Sequence, residues 1–393
     1  MSGINLAIVG NSYGSLPVNT DAPAVSGTAA VGQSLSSTTG TWTGAPAPAF
    51  TYQWQRSTTN IGSATSSSYT IVSADTGNTL RCVVTATNSL GAVSANSNSS
   101  SVPNVVPSGR AVYGGGTGAV NEKVMDYVEI ATTGNATDFG DLILGGQGQE
   151  TSGGSGSTTR GIWSGGYSSN GSPNVLNVIS YITVTSAGNN TDFGNLGSPS
   201  YGTYGGNNQT RSVFGGGNAG LTQVNEYITI ASTGNAASFG DLAVSHNRGA
   251  GCCSPTQVFN IGGASQKQID VVTTATTGDA TDFGDLLANA ECQAASNSTR
   301  GIVGASNSNV DMSYITMASA GNAVDFGDLS RSTRPTGGAA ANATRWTVAG
   351  GGSNQNEIQY VTIASTGNAS DFGDLTVARY YMGGLSNANG GLY

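Results

Sequence analysis

One phrase, Gly-Asn-x-x-Asp/Ser-Phe-Gly-Asp/Asn-Leu, occurs six times in near-copy, with its phenylalanines at Phe139, Phe193, Phe239, Phe283, Phe326 and Phe372. The intervals are 54, 46, 44, 43 and 46 residues. A period of roughly 40–50 residues belongs to solenoids, propellers and arrays, in which each copy is a unit whose apolar face is buried only by its neighbours. One active site has no reason to recur in every copy. The repetition therefore speaks for architecture before it speaks for chemistry.

A chain of 393 residues has room for more than one domain. Its composition is unusual, because charged residues make up 9% of the chain, against about 25% in an average soluble domain. Gly (60 residues), Ser, Thr and Asn take their place, so hydroxyls and amides keep the surface wet. That composition is common in secreted, fibrous and particle-surface proteins. The net charge of -9 falls on the repeats, since Asp21, Arg56, Asp75 and Arg81 cancel before residue 107. With Lys123 and Lys267 the only lysines, no basic patch exists to hold a phosphate backbone, and nucleic acid is not expected as a partner.

Cys82, Cys252, Cys253 and Cys292 form no C-x-x-C pair and no regular spacing, so neither a disulfide framework nor a zinc site is indicated. The vicinal Cys252 and Cys253 read as small buried hydrophobes, in preference to a redox pair or a soft-metal site. The start lacks the basic region of a secretory signal, and its apolar run is short. No stretch approaches the ~20 apolar residues of a membrane helix, so membrane insertion is not expected. These features predict a protein that reaches the outside as part of a particle released by lysis.

Residues 1–20 read as an anchoring arm, broken by Gly10, Asn11 and Gly14, with Pro17 near its end. From residue 21 to 102 the pattern is all-β. Phe50-Thr51-Tyr52-Gln53-Trp54-Gln55 alternates as a half-buried strand does, and Leu80 to Thr87 alternates in the same way before the turn residues 88–91. This stretch resembles bacterial and phage immunoglobulin-like domains in its Y-Q-W-Q-R (52–56), its Tyr69, and its A-D-T-G-N-T-L-R-C-V-V-T-A-T-N run ending at Asn88. The resemblance implies a β-sandwich with Trp54 at its centre and a corner at Asp75-Thr76-Gly77. It departs from antibody domains in two ways: no cysteine precedes Trp54 to pair with Cys82, and the corner lacks its usual tyrosine. A Ser/Asn/Pro-rich run ends in a linker over 103–109, where Pro103 and Pro107 favour extended backbone.

The repeats, over 110–393, read as strands. Ser212-Val213-Phe214 is a short apolar strand stopped by three glycines, and Glu226-Tyr227-Ile228-Thr229-Ile230 is an alternating second strand. Ser232-Thr233-Gly234-Asn235 makes a turn. Phe239 and Leu242 lie on a third strand, and a weaker fourth, rich in small residues, leads towards Val258 and Phe259. Four short strands per unit with abundant glycine predict a β-propeller blade. The strand-then-glycines element (Val112-Tyr113-Gly114-Gly115-Gly116, Ile162-Trp163-Ser164-Gly165-Gly166, Val348-Ala349-Gly350-Gly351) and the following Tyr-centred strand (Tyr127, Tyr181, Tyr227, Tyr314, Tyr360) resemble kelch-type propellers. Here the Phe of the repeated phrase replaces the kelch tryptophan. The phrase is also similar to propellers of tailed-phage structural proteins. Six blades are expected, the tail supplying the strand that the first one lacks; seven would follow if residues 390–393 belonged to another blade.

The carboxylates flanking Phe-Gly, such as Asp138 and Asp141, suit turn and capping hydrogen bonds better than calcium, because Ser238 and Asn195 replace them in single copies. Arg110, Arg160, Arg211, Arg300 and Arg345 head the glycine-ended strands, with Gln257 in the remaining copy. A structural bond from each to an Asp of the neighbouring blade is expected. His246, the single histidine, reads as a loop residue, and Glu150 and Glu291 as solvent-facing acids. Trp163 occupies the place of Tyr113 and Phe214 and reads as core, while Tyr167, Tyr201 and Tyr204 are candidates for stacking on sugar rings. No catalytic residue, metal or cofactor is expected. The resemblance implies a phage virion structural protein, tail fibre or tail-associated. Its arm would bind other virion proteins, its propeller would attach to a host glycan or receptor, and a homo-oligomer would fit that placement. A capsid fibre or decoration protein and a polysaccharide-degrading enzyme are the alternatives.

Overall fold

The computed structural model describes residues 14–29, 33–75, 77–102, 109–118, 123–142, 154–168, 174–219, 223–263, 265–289, 291–305, 310–332, 337–352 and 355–392. The protein is all-β. Among the described residues helix is confined to two single 3-10 turns, Ser73–Asp75 and Asn389–Gly391. The chain divides into two compact units, Met1–Val105 and Val106–Tyr393.

In the N-terminal unit the alternating strand Ala49–Arg56 pairs antiparallel with Thr79–Asn88, setting Trp54 opposite Cys82. A second sheet joins Val25–Ser26, Ser34–Ser37 and Ser68–Thr70. Trp54 is fully buried among Leu35, Ile71, Leu80, Cys82 and Val84. Its indole N–H donates to the Ser66 carbonyl at 3.0 Å, so the largest core side chain carries no orphaned donor. Cys82 is free and buried. Asp75 is also buried, and accepts from Arg56 at 2.7 Å and from the Tyr69 hydroxyl at 2.9 Å.

One sequence boundary differs here. Residues 1–13 of the expected arm lie outside the described residues, but its end is not separate: Ser15–Asp21 is a strand paired with Thr41–Ala45. Hydrogen bonds from the Ala45 N–H to Ser15 Oγ and from Asn19 Nδ2 to the Thr41 carbonyl, both 3.1 Å, hold it there. Most of the linker is likewise outside the described residues. The Ser/Asn run before it is built into the unit, since Ser100–Ser101 pairs with Leu80 and Thr79.

Among the described residues, the C-terminal unit contains six four-stranded antiparallel sheets. The third is typical: Tyr204–Asn207, Arg211–Gly215, Val224–Thr229 and Ala237–Asp241, in that order. The first sheet takes its corresponding strand, Gly383–Ser386, from the other end of the unit, with Ala111 opposite Ser386 and Gly114 opposite Gly383. The small-residue strand is therefore the first of a sheet. It pairs with the Arg-headed or Gln-headed strand that follows it, as Ala250–Cys253 does with Gln257–Gly263. The Arg-headed strand is apolar on both faces and its second edge is already paired with the Tyr-centred strand, so this is the edge left for it. The small strands also pack against one another; a Cβ on Gly251 would lie 2.4 Å from the Gly205 carbonyl, and one on Gly384 2.4 Å from that of Ala339.

The repeated phrase is a clasp between sheets. Its leading Gly N–H donates to the Phe carbonyl of the preceding sheet at 2.7–2.8 Å, from Gly188 to Phe139 through Gly367 to Phe326. The Asn or Asp after that Gly accepts, through its side chain, the backbone N–H that follows the preceding Phe-Gly, at 2.9–3.1 Å. The series does not stop at the sixth sheet: Gly134 donates to Phe372, and Asn135 accepts from the Asp374 N–H. The Phe-Gly glycines have φ of 134–152°. A Cβ on any of them would stand 2.3–2.6 Å from the leading glycine's carbonyl in the next sheet. Each Phe is 1–6% exposed, and in five sheets the Tyr of the central strand meets it edge-on.

Candidate functional site

The repeated polar residues are absorbed by the architecture. Each repeat arginine lies over the tyrosine of its own sheet, 4.2–4.7 Å from the ring centre. Its guanidinium then donates to backbone carbonyls of the next sheet: Arg110 to Val184, Arg160 to Ile230, Arg211 to Thr274, Arg300 to Ile363 and Arg345 to Ile130. The expected Arg-to-Asp bond between neighbours is thus replaced by a carbonyl contact, and the acid that does pair, Glu129 with Arg110, belongs to the same sheet. The flanking aspartates are exposed or half-exposed, and Asp138 and Asp371 serve turns, accepting from the Gly140 and Gly373 N–H groups. Among the described residues no group of three potential ligands is placed to hold a metal.

His246 is a loop residue, but a fully buried one. Its Nδ1 lies 2.6 Å from the Gly262 carbonyl and its Nε2 3.1 Å from Asp270. Burial raises the Asp270 carboxyl, yet the hydrogen bonds from His246 and Gln268 outweigh it and hold the group below the usual carboxylate range. Arg379 stands where His246 does, seven residues after its phenylalanine, and pairs with the equivalent buried acid Asp126 at 2.7 Å. Both pairs latch a loop to the next sheet. The cysteines of this unit are buried and free, and burial pushes the Cys253 thiol up to about 11. Trp163 is fully buried in the core.

Of the three candidate tyrosines, Tyr204 is misplaced by the sequence reading. It sits on the first strand of its sheet, 0% exposed, and its hydroxyl donates to Asn225 Oδ1. Tyr167 and Tyr201 are half-exposed, with ring centres 5.4 Å apart. Tyr201 lies 6.0 Å from the Arg248 guanidinium, which lies 5.4 Å from the ring of Tyr381. Tyr380 follows at 5.3 Å. Glu291 is 9% exposed, not solvent-facing, and receives Arg248 at 3.4 Å; Glu150 lies outside the described residues. A strip of four tyrosines crossed by one arginine results, and no other repeat position among the described residues duplicates it.

The strip borders a cavity of about 60 Å³ to which all six sheets contribute, lined by Gly154, Thr203, Arg248, Gln293, Gly337 and Tyr381 among others. Gly202, Arg248 and Tyr381 each stand nine residues after a repeat phenylalanine, and all three have left-handed backbones, with φ of 61°, 57° and 58°. Among the described residues of this unit Arg248 and Tyr381 are the only non-glycine residues so placed. For such residues that conformation costs about 1–2 kcal/mol. Gly202 has a second role: a Cβ there would lie 3.0 Å from Arg248 Cγ. Thr203 is 2% exposed, and its hydroxyl has no hydrogen-bond partner among the described residues.

Sequence reasoning missed Arg248, Tyr380 and Tyr381. The signal was available: aligned on the phenylalanines, Arg248 and Tyr381 fall where another copy has Gly202. Compared with protein-family models and with curated proteins, the chain matches none.

Proposed function

We propose that the six sheets are the blades of a closed, kelch-like β-propeller, that the N-terminal unit is an immunoglobulin-like sandwich, and that the chain is a non-enzymatic structural protein of a tailed-phage particle, displayed for attachment to a host-surface glycan or receptor. The contacts running from each sheet to the next, and from the sixth to the first, support the propeller. The buried Trp54 between two sheets supports the sandwich. One observation carries the attachment reading. The repeat arginines and the phrase's Asn or Asp are engaged in contacts from sheet to sheet, whereas the strip of Tyr167, Tyr201, Arg248, Tyr381 and Tyr380 occurs once among the described residues and keeps its rings half-exposed. Half-exposed aromatics beside a guanidinium are the means by which a protein with few charges grips another surface.

The full chain, fluorescently labelled, is to be incubated with a panel of bacterial cells and with polysaccharide extracted from them. Adhesion to some strains, reversed by the matching extract without release of new reducing ends, is the expected result. Absence of adhesion to every strain would remove the attachment reading, and new reducing ends would replace it with an enzyme.

A further inference from the structure

We infer that the rim of the cavity in the C-terminal unit is a saccharide-binding site for an uncharged pyranose, with Tyr201 and Tyr381 as stacking platforms, Arg248 as the donor between them and the Thr203 hydroxyl as the buried partner of an inserted sugar hydroxyl. The inference rests on the attachment reading and names its ligand. Pyranose rings present an apolar C–H face that lies flat on an aromatic ring, and equatorial hydroxyls that a planar guanidinium meets in plane. The strip supplies both within the 5–6 Å spacings of its rings and cation.

Three independent observations converge on this rim. Thr203 is buried against the cavity with a hydroxyl unmatched among the described residues, and a buried polar group without a partner is unfavourable until something supplies one. Arg248 and Tyr381 occupy left-handed positions that a sibling repeat fills with glycine; two side chains are held where the backbone disfavours them, and both face the same cavity. Glu291, largely buried, orients Arg248. It also cancels the charge, so the rim offers hydrogen-bond donors without net attraction for an anion. The rest of the unit is acidic, because the whole chain's -9 falls on it, and an acidic glycan would be repelled. At about 60 Å³ the cavity admits a substituent and not a hexose, so the ring itself lies on the rim.

The test uses the full chain against immobilised neutral gluco-, galacto- and manno-oligosaccharides, with sialylated and uronic-acid oligosaccharides in parallel, alongside the cell-adhesion assay. The expected result is binding to at least one neutral series, weakened tenfold or more by Tyr381→Gly, Arg248→Gly and Tyr201→Ala, and about threefold or more by Thr203→Val. The glycine variants restore the residue found in the sibling repeat, so folding is preserved, and an unchanged thermal transition verifies it. A well-folded Arg248→Gly variant that binds as before overturns the site. Preference for the acidic series overturns the uncharged ligand. Cells that adhere while no saccharide binds overturn this inference and leave the attachment reading standing; loss of adhesion as well removes both.

Discussion

At the scale of single residues, glycine is fixed less by its own backbone than by what the next sheet brings towards it. Gly234 and Gly240 belong to the same repeat, with φ of 159° and 152°. Around a Cβ on Gly234 there is nothing within 4 Å, whereas one on Gly240 would stand 2.3 Å from the Gly278 carbonyl. Gly234→Ala is expected to cost about 1 kcal/mol of conformational strain. Gly240→Ala must also push back the neighbouring sheet, and is expected to cost at least about 3 kcal/mol. Urea unfolding of the two variants separates the contributions; equal losses would mean that φ alone selects glycine in the phrase. The same scale shows what a sequence conceals. Tyr201 and Tyr204 are three positions apart in one glycine-rich stretch, yet one is half-exposed and the other wholly buried. Nothing local distinguishes them, because a strand begins between them only by pairing with Arg211–Gly215.

At the scale of elements, the arginine that heads a strand and the tyrosine at the centre of the next form one device, and the fourth sheet shows it by omission. There Gln257 replaces the arginine and Val271 the tyrosine, and the two losses coincide. A cation without its ring, or a ring without its cation, gives up the stacking worth about 0.5–1 kcal/mol in a partly exposed setting. Val271→Tyr and Gln257→Arg are therefore expected to be near neutral singly and favourable by that amount together, and a double-mutant cycle read by thermal unfolding measures the coupling. Purely additive effects would mean that the arginines act through their carbonyl contacts alone. The strands carrying this device were legible from sequence, being alternating and rich in β-formers. The first strands of the sheets were legible only as weak segments: Gly338–Ala341 and Tyr204–Asn207 are packed on both faces, so small residues replace the alternation that marks a half-buried strand.

At the scale of the whole C-terminal unit, the period of the phrase foretold six like sheets, but the chain must also join its ends, and it does so with its last residues. Gly383–Ser386 supplies the missing strand of the first sheet. Leu385, 2% exposed, packs with Val112, Trp163 and Ile182 of the first two sheets. Asn387 Oδ1 receives the Arg110 N–H, Ser386 Oγ donates to the Ala341 carbonyl, and Asn389 Oδ1 receives the Ser296 N–H. Four sheets are thereby tied by one short segment. Burial of Leu385 alone is worth about 2–5 kcal/mol, and the lost ladder and side-chain bonds add to it, against a total stability of about 5–15 kcal/mol for a typical domain. Deleting residues 383–393 from the full chain is expected to abolish the cooperative thermal transition reported by the buried Trp163 and Trp346. A synthetic peptide covering residues 380–393 is expected to restore it by adding the strand in trans, since main-chain pairing and the Leu385 pocket supply both affinity and register. Retention of the transition within a few degrees would show instead that the Gly134-to-Phe372 clasp, with Arg345 on the Ile130 carbonyl and Arg379 on Asp126, suffices to hold the sixth sheet to the first. The terminal strand would then be an accessory to the fold, and the unit's integrity would rest on the repeated contacts from sheet to sheet.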